Sequence, residues 1–255
     1  MANTVLYDFK TGYPDLSLVP RERIDQLMHA TLLHTDSLQY AGELAGTMRA
    51  RTQIARLVSD LYGMPTSIEE IIVTTGALSS ADTTCRALTQ PGDVVIVESP
   101  TFFFAVTIFQ MSRVQVVGVP IRDDGIDLEA LERTLKEYGS RVKLFYAIPA
   151  FHNPTGVCYS VENRKALITL AERYGFTILE DVTYQPLYYG AAPPPIIKSF
   201  DTSGCVVTIA SVSKLVMPAL RVGWVYAAPQ MIAKIQRFKG DGGTSMFNTE
   251  VVSAY

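Results

Sequence analysis

The sequence predicts an α/β fold, a mostly parallel sheet sandwiched by helices. Three observations predict it. From Ile71 onward, short apolar runs alternate with segments of helical apolar spacing. Those runs are apolar at nearly every position, as in strands covered on both faces. Polar residues gather directly after several of the runs, where sheets of this kind bind ligands.

Taken in order, residues 1–20 read as an extended arm with the turn residues Gly12, Pro14 and Asp15. Arg21 to Thr31 reads as a short helix opened by Pro20. His34 to Gly46 is a polar loop. Thr47 to Tyr62 carries Ile54, Leu57, Val58 and Leu61 on one helical face. Strands are expected at Ile71–Thr75, Val94–Glu98, Val114–Pro120, Val142–Ile148, Thr177–Asp181, Cys205–Ala210 and Val222–Ala228. Helices are expected at Leu78–Leu88, Phe102–Met111, Asp127–Tyr138, Val161–Tyr174 and Gln230–Phe238. Asp127 and Ser160 stand where helix caps belong. Gly240 to Ser245 lacks the Gly-Lys-Ser/Thr ending of a phosphate loop and reads as a mobile connection.

The 255 residues, 48% of them hydrophobic, are enough for a large core. A net charge of −3 gives no basic footprint for nucleic acid. Cys85, Cys158 and Cys205 form no C-x-x-C pair and read as reduced thiols. Met1 to Lys10 lacks the apolar core of a signal peptide. The longest apolar stretch, around Phe102 to Phe109, is too short to span a bilayer. The cytoplasm is therefore the default location, with no membrane or nucleic-acid partner expected.

Lys214 is the residue that points to chemistry. It follows an apolar run within Ser211-Val212-Ser213-Lys214, and Arg221 comes seven residues later. Lysine is rarely buried without a partner or a task. Desolvation lowers its pKa, and the neutral amine can attack a carbonyl to form a Schiff base. Two hydroxyls and an arginine also make a reasonable phosphate site. A cofactor with both an aldehyde and a phosphate is pyridoxal 5′-phosphate. Gly76-Ala77-Leu78 follows another run and opens a helix whose free N–H groups suit a phosphate. Asn153 and Asp181 also follow runs. His152 has no paired Ser or Cys and no second metal ligand nearby, and reads as an orienting or packed residue.

The set Asn153-Pro154-Thr155-Gly156, Asp181 with Tyr184, Ser211-x-Ser213-Lys214 and Arg221-x-Gly223 resembles the class I/II pyridoxal-phosphate-dependent aminotransferases of fold type I. Phe9 to Asp15, Leu38-Gln39-Tyr40 and Glu98-Ser99-Pro100-Thr101-Phe102 look most like the 2-aminoadipate-type branch, and like the aminotransferase-like domain of GntR-type regulators. The resemblance implies a transferase of amino acid metabolism that moves an amino group between an amino acid and a 2-oxo acid. It implies Lys214 as the Schiff-base residue and proton carrier, Asp181 against the pyridinium nitrogen, and Asn153 and Tyr184 on the ring hydroxyl oxygen. Phe102 would stack on the ring. Gly76, Ala77, Leu78, Ser211, Ser213 and Arg221 would hold the phosphate. Gly12 and Asn153 would lie beside the substrate. Tyr40 would reach the phosphate of a neighbouring subunit, which implies a homodimer with shared sites.

The resemblance also assigns residues 1–45 to an arm and part of a small domain, and 46–255 to the large, cofactor-binding domain. Measured against that family the chain is C-terminally short. None of its arginines stands in the motif that grips the substrate carboxylate. The alternative is a truncated, catalytically impaired cofactor-binding protein that lacks this clamp. Leu78 also stands where the family often has a polar residue.

Overall fold

The structure is a computed structural model that describes residues 12–40 and 42–255. The first part of the expected arm, residues 1–11, lies outside the described residues. Eight strands are present: β1 (Ile71–Thr74), β2 (Val94–Ser99), β3 (Gln115–Arg122), β4 (Gly125–Ile126), β5 (Val142–Ala147), β6 (Thr177–Asp181), β7 (Val206–Ser211) and β8 (Gly223–Tyr226). The helices are α1 (Arg21–Leu32), α2 (Met48–Tyr62), α3 (Ala77–Leu88), α4 (Phe103–Met111), α5 (Leu128–Tyr138), α6 (Val161–Tyr174), α7 (Pro229–Gln236) and α8 (Met246–Ala254). The expected α/β sheet-and-helix layering is present, with element ends within a few residues of those read from the sequence. The short β4 hairpin arm is an addition.

The strands form one sheet in the order β1-β8-β7-β6-β5-β2-β3-β4. β2, β3, β5, β6 and β7 pair in parallel with one another. β8 runs antiparallel to both β7 and β1, so β1 points the same way as β7. The reversal of β8 has one consequence for the site. The carboxyl ends of β1, β2, β5, β6 and β7 share an edge with the amino end of β8. Arg221, just before β8, therefore arrives where the other strands finish.

Strand periodicity sorts the core into layers. Val95 and Val97 of β2 join Ala81 and Cys85 of α3, Phe109 of α4 and Ile232 and Ile235 of α7 on one face. Val94 and Ile96 of the same strand join Leu131 and Leu135 of α5 and Leu167 and Ala171 of α6 on the other. Farther along that second side, Trp224 and Tyr226 of β8 pack with Ile54 and Val58 of α2 and Val251 of α8. Each fully buried Val or Ile contributes about 1.5–3 kcal/mol relative to exposure. That is why the strands read as unbroken apolar runs.

Local signals set the helix ends. Thr47 caps α2 by accepting from the Ala50 N–H (3.2 Å), Asp127 caps α5 through Ala130 (3.0 Å), and Ser160 caps α6 through Asn163 (3.1 Å). Gly63 and Gly175 close α2 and α6 in the left-handed conformation. The Gly240–Ser245 connection is tied down. Asp241 accepts from Lys239 Nζ (2.7 Å) and the Gly243 N–H (3.0 Å), and Thr244 Oγ1 donates to the Val73 carbonyl (3.3 Å). Sequence reading misses these anchors because Val73 is remote in the chain. Among the described residues, no helix is long and apolar enough to cross a membrane.

Candidate active site

The shared sheet edge collects most of the residues that sequence reading selected. Gly76 follows β1, Phe102 follows β2, Asn153 follows β5, Asp181 ends β6, and Ser211 ends β7 with Lys214 just beyond. Asp181 pairs in register with Ile209, two residues before Ser211. The Lys214 and Asp181 segments thus leave neighbouring strands on the same side of the molecule.

Lys214 is half-buried. Its Nζ donates to the Gly12 carbonyl at 2.7 Å, which brings the arm over the strand ends. Burial lowers the pKa of its amine. Gly12 has φ +58°, and a Cβ placed there would lie 3.7 Å from Tyr184 Oη. Lys214, Gly12 and Tyr184 therefore line one space. Burial pushes the Tyr184 phenol up, the Asp181 charge adds to this, and a hydrogen bond with the Asn153 side chain opposes it.

Asp181 is buried. Its Oδ1 accepts from the Thr183 N–H (3.0 Å), and its Oδ2 accepts from the Tyr146 hydroxyl (3.0 Å). Burial raises its pKa, and these hydrogen bonds only partly counter that. Among the described residues no Lys, Arg or His pairs with it. An isolated carboxylate in a dry site is costly, so this one suits a ligand that brings a positive charge. Glu180, its neighbour in the chain, points to the opposite face of the strand. It accepts from the Ile197 and Lys198 N–H groups (2.5 and 3.1 Å) and from Thr208 Oγ1 (3.2 Å). The acidic pair thus divides into a structural anchor and a site residue.

The other end of the space is a cradle. α3 begins at Gly76, φ +87°, with no side-chain cap, so the N–H groups of its first turn are left for a ligand. A Cβ on Gly76 would sit 2.6 Å from Arg221 Nη2, so only glycine lets the guanidinium lie against the turn. Arg221 is exposed and donates to the Thr75 carbonyl (3.1 Å). Gly223 is equally constrained. A Cβ there would be 2.7 Å from the Gly76 Cα. Ser211 and Ser213 are buried beside this cradle, and the Ser213 N–H donates to Ser211 Oγ (3.3 Å). Ala77 and Leu78 offer only backbone groups. Helix dipole, N–H groups, hydroxyls and a guanidinium together suit a phosphate.

Phe102 sits half-buried at the start of α4, edge-on to Phe103 and Phe104 with centroids 5.8 and 5.7 Å away. Tyr40 is 93% exposed. Among the described residues no hydrogen bond ties it to the cluster, so this chain alone does not bring it to the site.

Two features were missed in the sequence. Tyr146 contacts Asp181 across 35 positions. Glu98, at the end of β2, is 1% exposed. It accepts from Tyr159 Oη (2.6 Å), the Ile148 N–H (2.9 Å), Thr101 Oγ1 (3.3 Å) and His152 Nε2 (3.0 Å). His152 Nδ1 accepts from the Thr155 N–H (3.3 Å). That acceptor role assigns the neutral imidazole's proton to Nε2, facing Glu98. His152 is thus an orienting residue that fastens the Asn153 turn to β2. The signal was present only as a histidine beside Asn153 and a glutamate after an apolar run.

Comparison with known proteins gives the family. Residues 10–254 match the family Aminotransferase class I and II. An aromatic-amino-acid aminotransferase of Thermococcus litoralis is 34% identical over 88% of the chain and 55% of its own length. The chain belongs to the class I and II aminotransferases. An uncharacterized HTH-type transcriptional regulator of Escherichia coli is 33% identical over 91% of the chain and 49% of its own. Among solved structures, the α-aminoadipate aminotransferase of Thermus thermophilus, complexed with N-(5′-phosphopyridoxyl)-L-leucine, superposes with a TM-score of 0.87 at 29% identity. That match covers 95% of this chain and 62% of that one. The chain spans about half the length of the curated relatives it matches. The cofactor that this aminotransferase site fits is pyridoxal 5′-phosphate. The Gly76–Arg221 cradle has the groups that could hold its phosphate, and Lys214 and the buried Asp181 offer the amine and the carboxylate that could meet its aldehyde and its ring nitrogen.

Proposed function

We propose that this chain carries the cofactor site of an enzyme that moves an amino group between an amino acid and a 2-oxo acid. One observation carries the reading. Lys214 and the buried carboxylate of Asp181 leave adjoining strands at one edge, with Gly12 and Tyr184 beside them and a phosphate cradle at the far end. Bound pyridoxal phosphate supplies an aldehyde for amines and a protonated ring that accepts electrons from a Cα bond.

The chain's residues take these roles. Lys214, its pKa lowered by burial, reaches the neutral form more readily, first as nucleophile and then as the base that moves a proton at Cα. Asp181 holds a proton on the ring nitrogen, an ion pair far stronger in a dry site than in water. Asn153 and Tyr184 hydrogen-bond the ring oxygen, and Phe102 covers a ring face. Ser211, Ser213, Arg221 and the N–H groups of Gly76 to Leu78 hold the phosphate. Gly12 and Asn153 border the amino acid substrate.

The exposed Tyr40 supports a homodimer in which that ring meets the partner's phosphate. The free Cys85, Cys158 and Cys205 support a cytoplasmic location. Residues 46–255 form the cofactor domain in this reading, with 1–45 as arm and part of a small domain.

The test is a half-reaction. Purified protein mixed with pyridoxal phosphate is expected to develop a visible band that Lys214→Ala abolishes, with turnover falling by at least about 10²–10⁴-fold. Amino acids are expected to convert the bound cofactor to its aminated form, and a 2-oxo acid to reverse this. A band that Lys214→Ala leaves intact sinks the assignment of Lys214. A band that no amino acid changes sinks the transfer reaction.

A further inference from the structure

We propose that Tyr146 is a positioning residue for the cofactor's ring nitrogen, acting through Asp181. The strand frame sets this contact. β5 and β6 pair in parallel with Tyr146 opposite Leu179. Asp181 lies two residues beyond Leu179 and therefore on the same face. The tyrosine ring is 1% exposed and is held edge-on by Phe109 of α4, centroids 5.5 Å apart. Its hydroxyl donates to Asp181 Oδ2 at 3.0 Å, and among the described residues it makes no other hydrogen bond.

The contact does two things that the backbone cannot do alone. With Oδ1 bound to the Thr183 N–H, a second donor on Oδ2 fixes the rotation of the carboxylate. It also helps keep the carboxylate ionised against the burial that favours its neutral form. Other groups face Asp181 electrostatically: Glu98 from the end of β2, Tyr184 from its own turn and Tyr62 from α2. None of them is a cation, and Glu98 works against the charge. The Thr183 side chain, from Asp181's own turn, also favours the charged carboxylate. Tyr146 is the donor that reaches Asp181 from a neighbouring strand and favours the same form, the one that keeps a proton on the ring nitrogen. Burial and the adjacent carboxylates push the phenol's own pKa far up, so it remains a donor across the working pH range.

This inference rests on the function proposed above, and the experiment separates the two. Tyr146→Phe keeps the ring and its contact with Phe109 and removes only the hydroxyl. Pyridoxal phosphate is titrated into the cofactor-free chain, and the pH midpoint of the visible band is recorded. Tyr146→Phe is expected to weaken cofactor binding by about five- to tenfold and to move the midpoint by about half a pH unit or more. In an Asp181→Asn background the same change is expected to alter binding by less than about twofold, because the group it acts through is gone. Tyr146→His, which retains an N–H donor, is expected to recover part of the affinity. Should the Phe variant fail to fold, the His variant must still move the midpoint. An unchanged midpoint overturns the proposal, as do losses that multiply in the double variant. A wild-type chain that takes up no cofactor overturns the functional reading and this inference with it.

Discussion

The Asp181 end and the Arg221 end of the candidate site lie on one sheet edge and are built in different ways. At the first, Asp181 is buried, and two protein donors already occupy its oxygens. Below it, Glu98 collects four donors. At the second, Arg221 is exposed with one bond to a carbonyl, and the first turn of α3 has no cap. The difference teaches where a protein must finish its own hydrogen bonding. A buried polar group left unpaired costs about 1–3 kcal/mol, and more if charged. Groups beyond the reach of water are therefore completed by the fold. Groups at the rim are solvated until the ligand arrives, so they can be held open for it.

That contrast can be broken by substitution. The largest expected effect is Arg221→Ala, which on the proposed function removes a charge-assisted bond to the phosphate. Pyridoxal phosphate affinity is expected to fall by about 10- to 100-fold, while the melting temperature of the cofactor-free chain stays within about 1 °C. A large drop in apo stability would make the rim as structural as the depth.

Asp181→Asn tests the other end with the opposite pattern. The folded-state pKa of Asp181 lies above its unfolded value. Its contribution to stability is therefore fully present below the ordinary aspartate range and is lost as pH rises through the raised value. At pH 7–8 the cofactor-free Asp181→Asn chain is expected to melt about 2–4 °C higher than wild type, with the gap closing as the solution is acidified. Cofactor affinity is expected to fall in the same variant while staying measurable. A lower melting temperature at neutral pH would show that the carboxylate is not a burden on the empty fold.

The smallest effect is a control away from both ends. Thr47→Ala removes the cap of α2 and is expected to cost about 1 kcal/mol, roughly 2–4 °C in Tm, without altering cofactor affinity. A change in affinity would mean that α2 couples to the site.

Much of the site was legible because its markers are local. Ser211, Ser213 and Lys214 share one turn, and Gly76 to Leu78 share another. Periodicity found the strands because burial on both faces leaves few polar positions. The supporting shell was not legible. Tyr146 and Asp181 are 35 positions apart, and Glu98 and His152 are 54 apart. No spacing rule links such pairs before the strands are ordered. Nor did the acidic pair at the end of β6 reveal which member faces the site.

By itself the sequence determined which residues can do the chemistry, because an amine, a carboxylate, hydroxyls and flexible glycines are properties of single positions and their neighbours. Only the tertiary structure decided that β8 runs backward and delivers Arg221 to the edge where β1 and β7 end. It alone turned Asp181 toward Tyr146 and Glu180 toward Ile197. Those choices depend on strand order and on which face each side chain meets. Contacts between distant segments set both.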